Sequence, residues 1–250
     1  MIDIKNVSSG YGKNTILNDL SVSFEKGKLT AIIGPNGCGK STLLKTALGI
    51  IPAKCGDIFI DGQNLSRVKR CEISRRISYL SQGHPLSDMT VEETVVHGRF
   101  PHLKYPKRYS ARDREIARTA MERVGILCLA KKAVSSLSGG MQQIVYIAMA
   151  LAQDTDYILL DEPNTYLDIS HQIELMKLLG SLADSGKGIV AVMHDLPMAF
   201  SFSDEIAVMQ NGRILRHGSA QQICASGILK TVFGVKMHRE NGEYSYILGT

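Results

Sequence analysis

Apolar and polar positions alternate in short runs at the start of this 250-residue chain. Ile2, Ile4 and Val7 point one way, and Leu20, Val22 and Phe24 repeat the pattern before the Lys26-Gly27-Lys28 turn, so residues 2–33 read as short strands. Leu29 to Ile33 is a continuous apolar run. The segment beyond the glycine-rich stretch that follows it carries Leu43, Leu44, Ala47 and Leu48 at helical spacing. Gly56–Ile60 reads as a strand closed by an Asp61-Gly62 turn, and Ile77–Leu80 as a short strand running into Ser81-Gln82.

Residues 83–150 change character. Val91 to His97 is helical in composition, and residues 98–109 form a basic, aromatic, proline-broken loop. Ser110 with Asp113 forms a capping-box pattern, opening a helix with Ile116, Ala117, Ala120, Met121 and Val124 on its apolar face, and Gly125 ends it. Buried-type strands return at Tyr157–Leu160 and Gly188–Met193, separated by a helix over 169–185. Continuous apolar strands between helices predict a mostly parallel sheet covered on both faces. Asn211-Gly212 and Asn241-Gly242 are hairpin signals in the tail. The expected architecture is α/β: an antiparallel β subdomain at the N-terminus, a core from residues 1–82 and 151–250, and a helical insert over 83–150.

Composition narrows the picture little. Hydrophobic content of 44% and charged content of 21% suit an ordinary globular chain with ample core. The net charge of +5 fits a polyphosphate or an anionic membrane surface and is too small to argue for nucleic acid. Five scattered cysteines without a C-x-x-C pair speak against a disulfide framework or zinc site and for a reducing compartment. The N-terminus lacks a signal pattern, and no apolar run approaches the ~18 residues of a membrane span.

The chemistry is concentrated in Gly34-Pro35-Asn36-Gly37-Cys38-Gly39-Lys40-Ser41-Thr42, in the order strand, glycine loop, helix. Glycines let backbone N–H groups converge on phosphate oxygens, and the helix presents its positive end to the same anion. Lys40 supplies a point charge for β- and γ-phosphates, and Ser41 a hydroxyl for Mg²⁺. Asp161-Glu162-Pro163 closes an apolar strand, where open α/β sheets place ligands. One carboxylate suits Mg²⁺ and the other an attacking water.

The motif Leu137-Ser138-Gly139-Gly140-Met141-Gln142-Gln143 completes the set. With it, essentially the whole chain resembles the ATP-binding subunit of ATP-binding-cassette transporters. That resemblance implies a P-loop NTPase (RecA-like) core binding ATP and Mg²⁺. Tyr11 would stack on adenine, Gly34–Thr42 would be Walker A, and Gln82 the Q-loop glutamine that senses Mg²⁺ or water. Ser138, Gly139 and Gly140 would be the signature, whose N–H groups face the ATP held by a second copy in a head-to-tail homodimer. Asp161 would bind the metal, with Glu162 the catalytic glutamate, Asp168 the D-loop aspartate and His194 the switch histidine. Lys40, Gln82, Glu162 and His194 form the implied catalytic set; Ser41, Gln82 and Asp161 form the implied metal set.

Thr90-Val91-Glu92-Glu93-Thr94-Val95, Gly98-Arg99-Phe100-Pro101-His102, Asn164-Thr165-Tyr166-Leu167-Asp168-Ile169, His171-Gln172 and the Val232-Phe233-Gly234-Val235 tail are similar to importers of iron–siderophore, haem and cobalamin. The implied partners are an integral membrane permease and, indirectly, a substrate-binding protein. The implied location is peripheral, on the cytoplasmic side of the cell membrane. Residues 98–109 read as part of a membrane-facing subdomain, as a solvated basic loop, or as a nucleic-acid patch; no nucleic-acid partner is expected. Met141 departs from the family's usual glutamine, and Gln142 and Ile144 stand where arginines are common, which puts turnover in question more than ATP binding. A DNA-repair ATPase with the same cassette would carry coiled coils or zinc inserts, and the chain sustains neither. A low-turnover regulatory module is the reading motivated by Met141. No Asn-Lys-x-Asp motif points to guanine.

Overall fold

The computed structural model describes residues 1–83, 87–240 and 243–248. They fall into two compact units, residues 1–68 with 179–250 and residues 69–178.

The first unit opens on an antiparallel sheet in the order β2-β1-β4-β5, formed by β1 (Ile2–Ser9), β2 (Leu17–Phe24), β4 (Ala53–Ile60) and the two-residue β5 (Gln63–Asn64). Ile2, Ile4, Val7, Leu20, Phe24, Ile58 and Ile60 are buried in it. The alternation of β1 breaks between Ile4 and Val7 because the strand is bulged there and Asn6 takes φ 50°. One extra residue returns Val7 to the inner face. Asp61 and Gly62, at φ 48° and 79°, make the expected tight turn.

The second layer holds β3 (Leu29–Ile33), β8 (Gly188–Val192), β9 (Glu205–Gln210) and β10 (Arg213–Gly218). β3 pairs in parallel with β8 on one side and β9 on the other, and β10 pairs antiparallel with β9. β3 and β8 are buried at all five positions, as strands covered on both faces must be. Asn211 (φ 49°) and Gly212 (φ 75°) turn the β9–β10 hairpin. Helix α1 (Lys40–Ala47) follows β3, and α7 (Leu196–Phe202) follows β8. The tail adds α8 (Ala220–Ala225), α9 (Ile228–Phe233) and the antiparallel pair β11 (Val235–Glu240) and β12 (Glu243–Leu248). The expected Asn241-Gly242 turn lies outside the described residues.

In the second unit β6 (Ile77–Leu80) and β7 (Tyr157–Asp161) pair in parallel. Helices α3 (Val91–Val96), α4 (Ala111–Arg123) and α5 (Gly139–Ala152) pack on one another. Helix α5 buries Val145, Tyr146, Ile147, Ala148, Ala150 and Ala152, which together cover most of its circumference. A helix apolar nearly all round belongs in the middle of a unit. The Ser110–Asp113 capping box forms as read, with a second at Thr90–Glu93. Helix α6 (Ile169–Asp184) follows β7. Helix α2 (Arg70–Arg76), with Ile73 its one buried residue, has no apolar periodicity to announce it. Among the described residues no helix is long and apolar enough to cross a membrane.

The stretch at 98–109 differs from a plain loop. Residues His97–His102 form a 3₁₀ turn with Pro101 inside it. Arg99 is only 8% exposed. Its Nε donates to Asp113 Oδ1 at 3.1 Å, and Nη1 donates to the carbonyls of Ala152 and Gln153 at 3.1 and 3.3 Å. A guanidinium at the carboxyl end of α5 satisfies carbonyls that have no helical partner and meets the negative end of the dipole. Arg99 is thus a structural bolt between the turn, α4 and α5.

Hydrogen bonds from Ser110, followed by Arg99, hold the Asp113 carboxyl below the usual aspartate range. A depressed folded value contributes stability that is full above the unfolded value of ~3.9 and is lost as pH falls through the folded one. Arg99→Ala is expected to cost about 3 kcal/mol in urea unfolding, since it strands a buried carboxylate. In thermal melts Asp113→Asn is expected to fall below the parent at neutral pH, with the gap closing only below about pH 4. An equal gap at pH 3 and pH 7 would contradict this assignment.

Candidate nucleotide site

In the first unit, β3 runs directly into Gly34. The loop climbs to Gly39, whose φ of 107° is open to glycine and strained for other residues, and α1 starts at Lys40. Gly34 lies so close to the Met209 carbonyl that a Cβ there would collide with it. The Gly212 amide donates to the Cys38 carbonyl at 2.9 Å. The β9–β10 hairpin therefore braces the phosphate loop from behind, a role its Asn-Gly signal did not reveal. Lys40 is buried, and its ammonium donates to the carbonyls of Gly34 and Pro35 at 2.8 and 3.1 Å. These bonds fasten the loop into a ring around the cation. Burial pushes the Cys38 thiol up, so it packs as a neutral, inert group.

β8 lies beside β3, with Val192 opposite Ile32, and the Met193 amide donates to the Ile32 carbonyl at 3.0 Å. The next residue, His194, is exposed at the carboxyl end of β8, one strand from the start of the phosphate loop. The turn carrying Tyr11 leads into Ile16 and Leu17, which sit against Gly39, and the Tyr11 ring is 51% exposed. The first unit thus gathers Tyr11, Gly34–Thr42 and His194 on neighbouring connections.

The second unit gathers the carboxylates. β6 ends into Ser81-Gln82 and β7 into Asp161-Glu162, with Leu80 opposite Leu160. Gln82 Nε2 donates to Glu162 Oε2 at 2.8 Å, and Thr165 Oγ1 donates to the same oxygen at 3.4 Å. Glu162 sits at φ 53°, a sparsely populated conformation for a residue with a side chain. Asp161 is 2% exposed, and the Tyr79 hydroxyl donates to its Oδ2 at 3.3 Å.

Ser138 is the N-cap of α5, its Oγ accepting from the Met141 amide at 3.4 Å. Met141 acts through its backbone, so the side-chain difference leaves the cap intact. Gln142 Nε2 donates to the Leu137 carbonyl at 3.0 Å and ties down the start of the motif. Buried Gln143 donates to the Pro163 carbonyl at 3.1 Å, joining α5 to the segment after Glu162. Nothing in the sequence singled Gln143 out, since its value lies in a contact across 20 residues. Asp168 accepts from the His171 amide and ring, both at 2.9 Å, and these bonds hold its carboxyl below the usual range. Ser138, Gly139, Gly140, Tyr166 and Asp168 share the wall of one cavity of about 460 Å³.

Among the described residues no three His, Cys, Asp or Glu side chains converge to hold a metal by themselves. A single buried aspartate beside amide and hydroxyl groups fits Mg²⁺, which takes one or two carboxylates and completes its shell with phosphate oxygens and water.

The ABC transporter family model matches residues 17–165. The chain is 41% identical over 228 residues to the iron(3+)-hydroxamate import ATP-binding protein FhuC of Bacillus subtilis (strain 168), covering 90% of this chain and 85% of that protein. It is 41% identical over 229 residues to the ferric enterobactin transport ATP-binding protein FepC of Escherichia coli (strain K12), covering 91% and 84%. A solved dimeric bacterial ABC transporter cassette superposes with a TM-score of 0.78 at 29% identity, covering 88% of this chain and 99% of that one. Likeness of this extent along the chain makes it a member of the ABC transporter family, as one of its ATP-binding, ATP-hydrolysing subunits.

Proposed function

We propose that this ATPase powers an importer for iron–siderophore complexes, working as a homodimer beneath a membrane permease. The observation carrying this reading is that two relatives named for ferric hydroxamate and ferric enterobactin transport align with about nine-tenths of the chain. Residues 1–82 with 151–250 serve as the ATP-binding core and 83–150 as the helical signature subdomain. The subunit sits peripherally on the cytoplasmic side, and its cargo is chosen by the permease and a substrate-binding protein.

Gly34–Thr42 takes the phosphates of ATP on backbone N–H groups, and Tyr11 offers its exposed face to adenine. Ser41, Asp161 and Gln82 are the groups proposed for Mg²⁺, which neutralises phosphate charge when bound. Glu162, oriented by Gln82 and Thr165, polarises the attacking water. Lys40 and His194 stabilise charge on the transferring phosphoryl. Ser138, Gly139 and Gly140 of a second copy, with Asp168 beside them, complete the site in trans. Dimer closure then acts on the permease through Gln82 and residues 83–109, of which 84–86 lie outside the described set.

Lys40→Ala is expected to abolish both ATP turnover and uptake of radiolabelled ferric siderophore in cells dependent on this protein. Loss of haem or cobalamin uptake with siderophore uptake intact would overturn the cargo class. Glu162→Gln is expected to lower kcat about 10²–10⁴-fold and to accumulate an ATP-bound dimer. A monomer by light scattering in excess Mg·ATP would sink the sandwich. Met141→Gln is expected to raise steady-state turnover a few-fold, and unchanged turnover would remove the motive for a low-activity regulatory module.

A further inference from the structure

Residues 99–114 hold six Lys or Arg and one Asp, an excess of five that equals the formal net charge of the whole chain. Arg99 and Asp113 neutralise each other in the interior. The entire excess is therefore carried by Lys104, Lys107, Arg108, Arg112 and Arg114, all exposed. Lys104, Arg108 and Arg112 make no ion pair among the described residues. At the tip of this segment Tyr105 is 97% exposed.

We propose that the turn at 104–108 is a contact for the headgroups of anionic phospholipid, made by this subunit directly and independently of any permease. Two features favour a lipid surface over other anionic partners. First, the neighbouring aromatics are already engaged: Lys107 Nζ lies 4.2 Å from the Phe100 ring centroid, and the Tyr109 hydroxyl bonds His97 Nδ1 at 3.2 Å. One free ring is a poor platform for successive nucleic-acid bases, which need several. It suits a tyrosine seated at the headgroup level of a bilayer. Second, the exposed tip is rich in lysine, which protein–protein interface cores avoid and which an anionic leaflet attracts. The Arg99 bolt fixes the base of the turn on α4 and α5, so the cations are displayed from a rigid mount and less ordering entropy opposes binding.

Co-sedimentation of the full chain with vesicles tests this, comparing phosphatidylcholine containing phosphatidylglycerol with pure phosphatidylcholine. Binding is expected only to the anionic vesicles and is expected to fade between about 0.05 and 0.5 M salt as the Debye length shrinks. With each cation near the surface worth about five-fold, K104Q/K107Q/R108Q is expected to weaken partitioning about 100-fold. The thermal melt should not change. Tyr105→Ala is expected to weaken it a few-fold. No preference for anionic vesicles, or a triple variant that binds as the parent does, overturns the proposal. So does displacement from vesicles by short duplex DNA at lower concentration than by soluble phosphatidylglycerol, which would make the patch a nucleic-acid site. Loss of permease co-purification by the triple variant with vesicle binding intact would instead make it a protein interface, and also overturns it.

Discussion

When two β-strands pair in parallel, the segments leaving their carboxyl ends emerge side by side, and every proposed catalytic group here depends on that constraint. β3 and β8 release the phosphate loop and His194 together. β6 and β7 release Gln82 and Glu162 together, close enough for a 2.8 Å hydrogen bond between side chains 80 residues apart. An antiparallel arrangement would send the members of each pair to opposite edges. The strands themselves are apolar and carry no chemistry; their direction supplies the geometry.

The connections that leave these strands are irregular, and irregular backbone must find partners for its polar groups. Glutamine side chains fill much of this need in the second unit. Gln143 serves the Pro163 carbonyl, Gln142 that of Leu137, and Gln172 those of Asn164 and Leu167. Each amide joins a loop to a helix, so the signature, the carboxylate pair and the Asp168 segment are held as one hydrogen-bonded body. In the first unit the same task falls to Lys40 and to the Gly212 amide. The conformation at Glu162, costly in isolation, persists because its surroundings fix it.

Much of the fold was legible because the signals are local. β3 and β6 lie where their apolar runs are, the Ser110–Asp113 box caps α4, and Asp61-Gly62 and Asn211-Gly212 turn as such pairs do. Helix α2 was not legible, since it buries Ile73 alone and so leaves no periodic stripe. The turn at 97–102 was not either: its basic, proline-containing composition reads as solvated loop, whereas Arg99 is drawn inside by an aspartate and two carbonyls from other elements.

The phosphate loop, the carboxylate pair and the Leu137–Gln143 motif are set by residue order alone. Their chemistry resides in residue types at short, contiguous spacing: glycines that free the backbone, a lysine, a hydroxyl, and two acids behind an apolar run. Which of these groups meet follows from long-range packing. Pairing Gln82 with Glu162, bracing Gly34 on Met209 and tying Gln143 to Pro163 are contacts between segments far apart in the chain. Such contacts arise when apolar faces are buried together, and one chain's residue order carries no local trace of them.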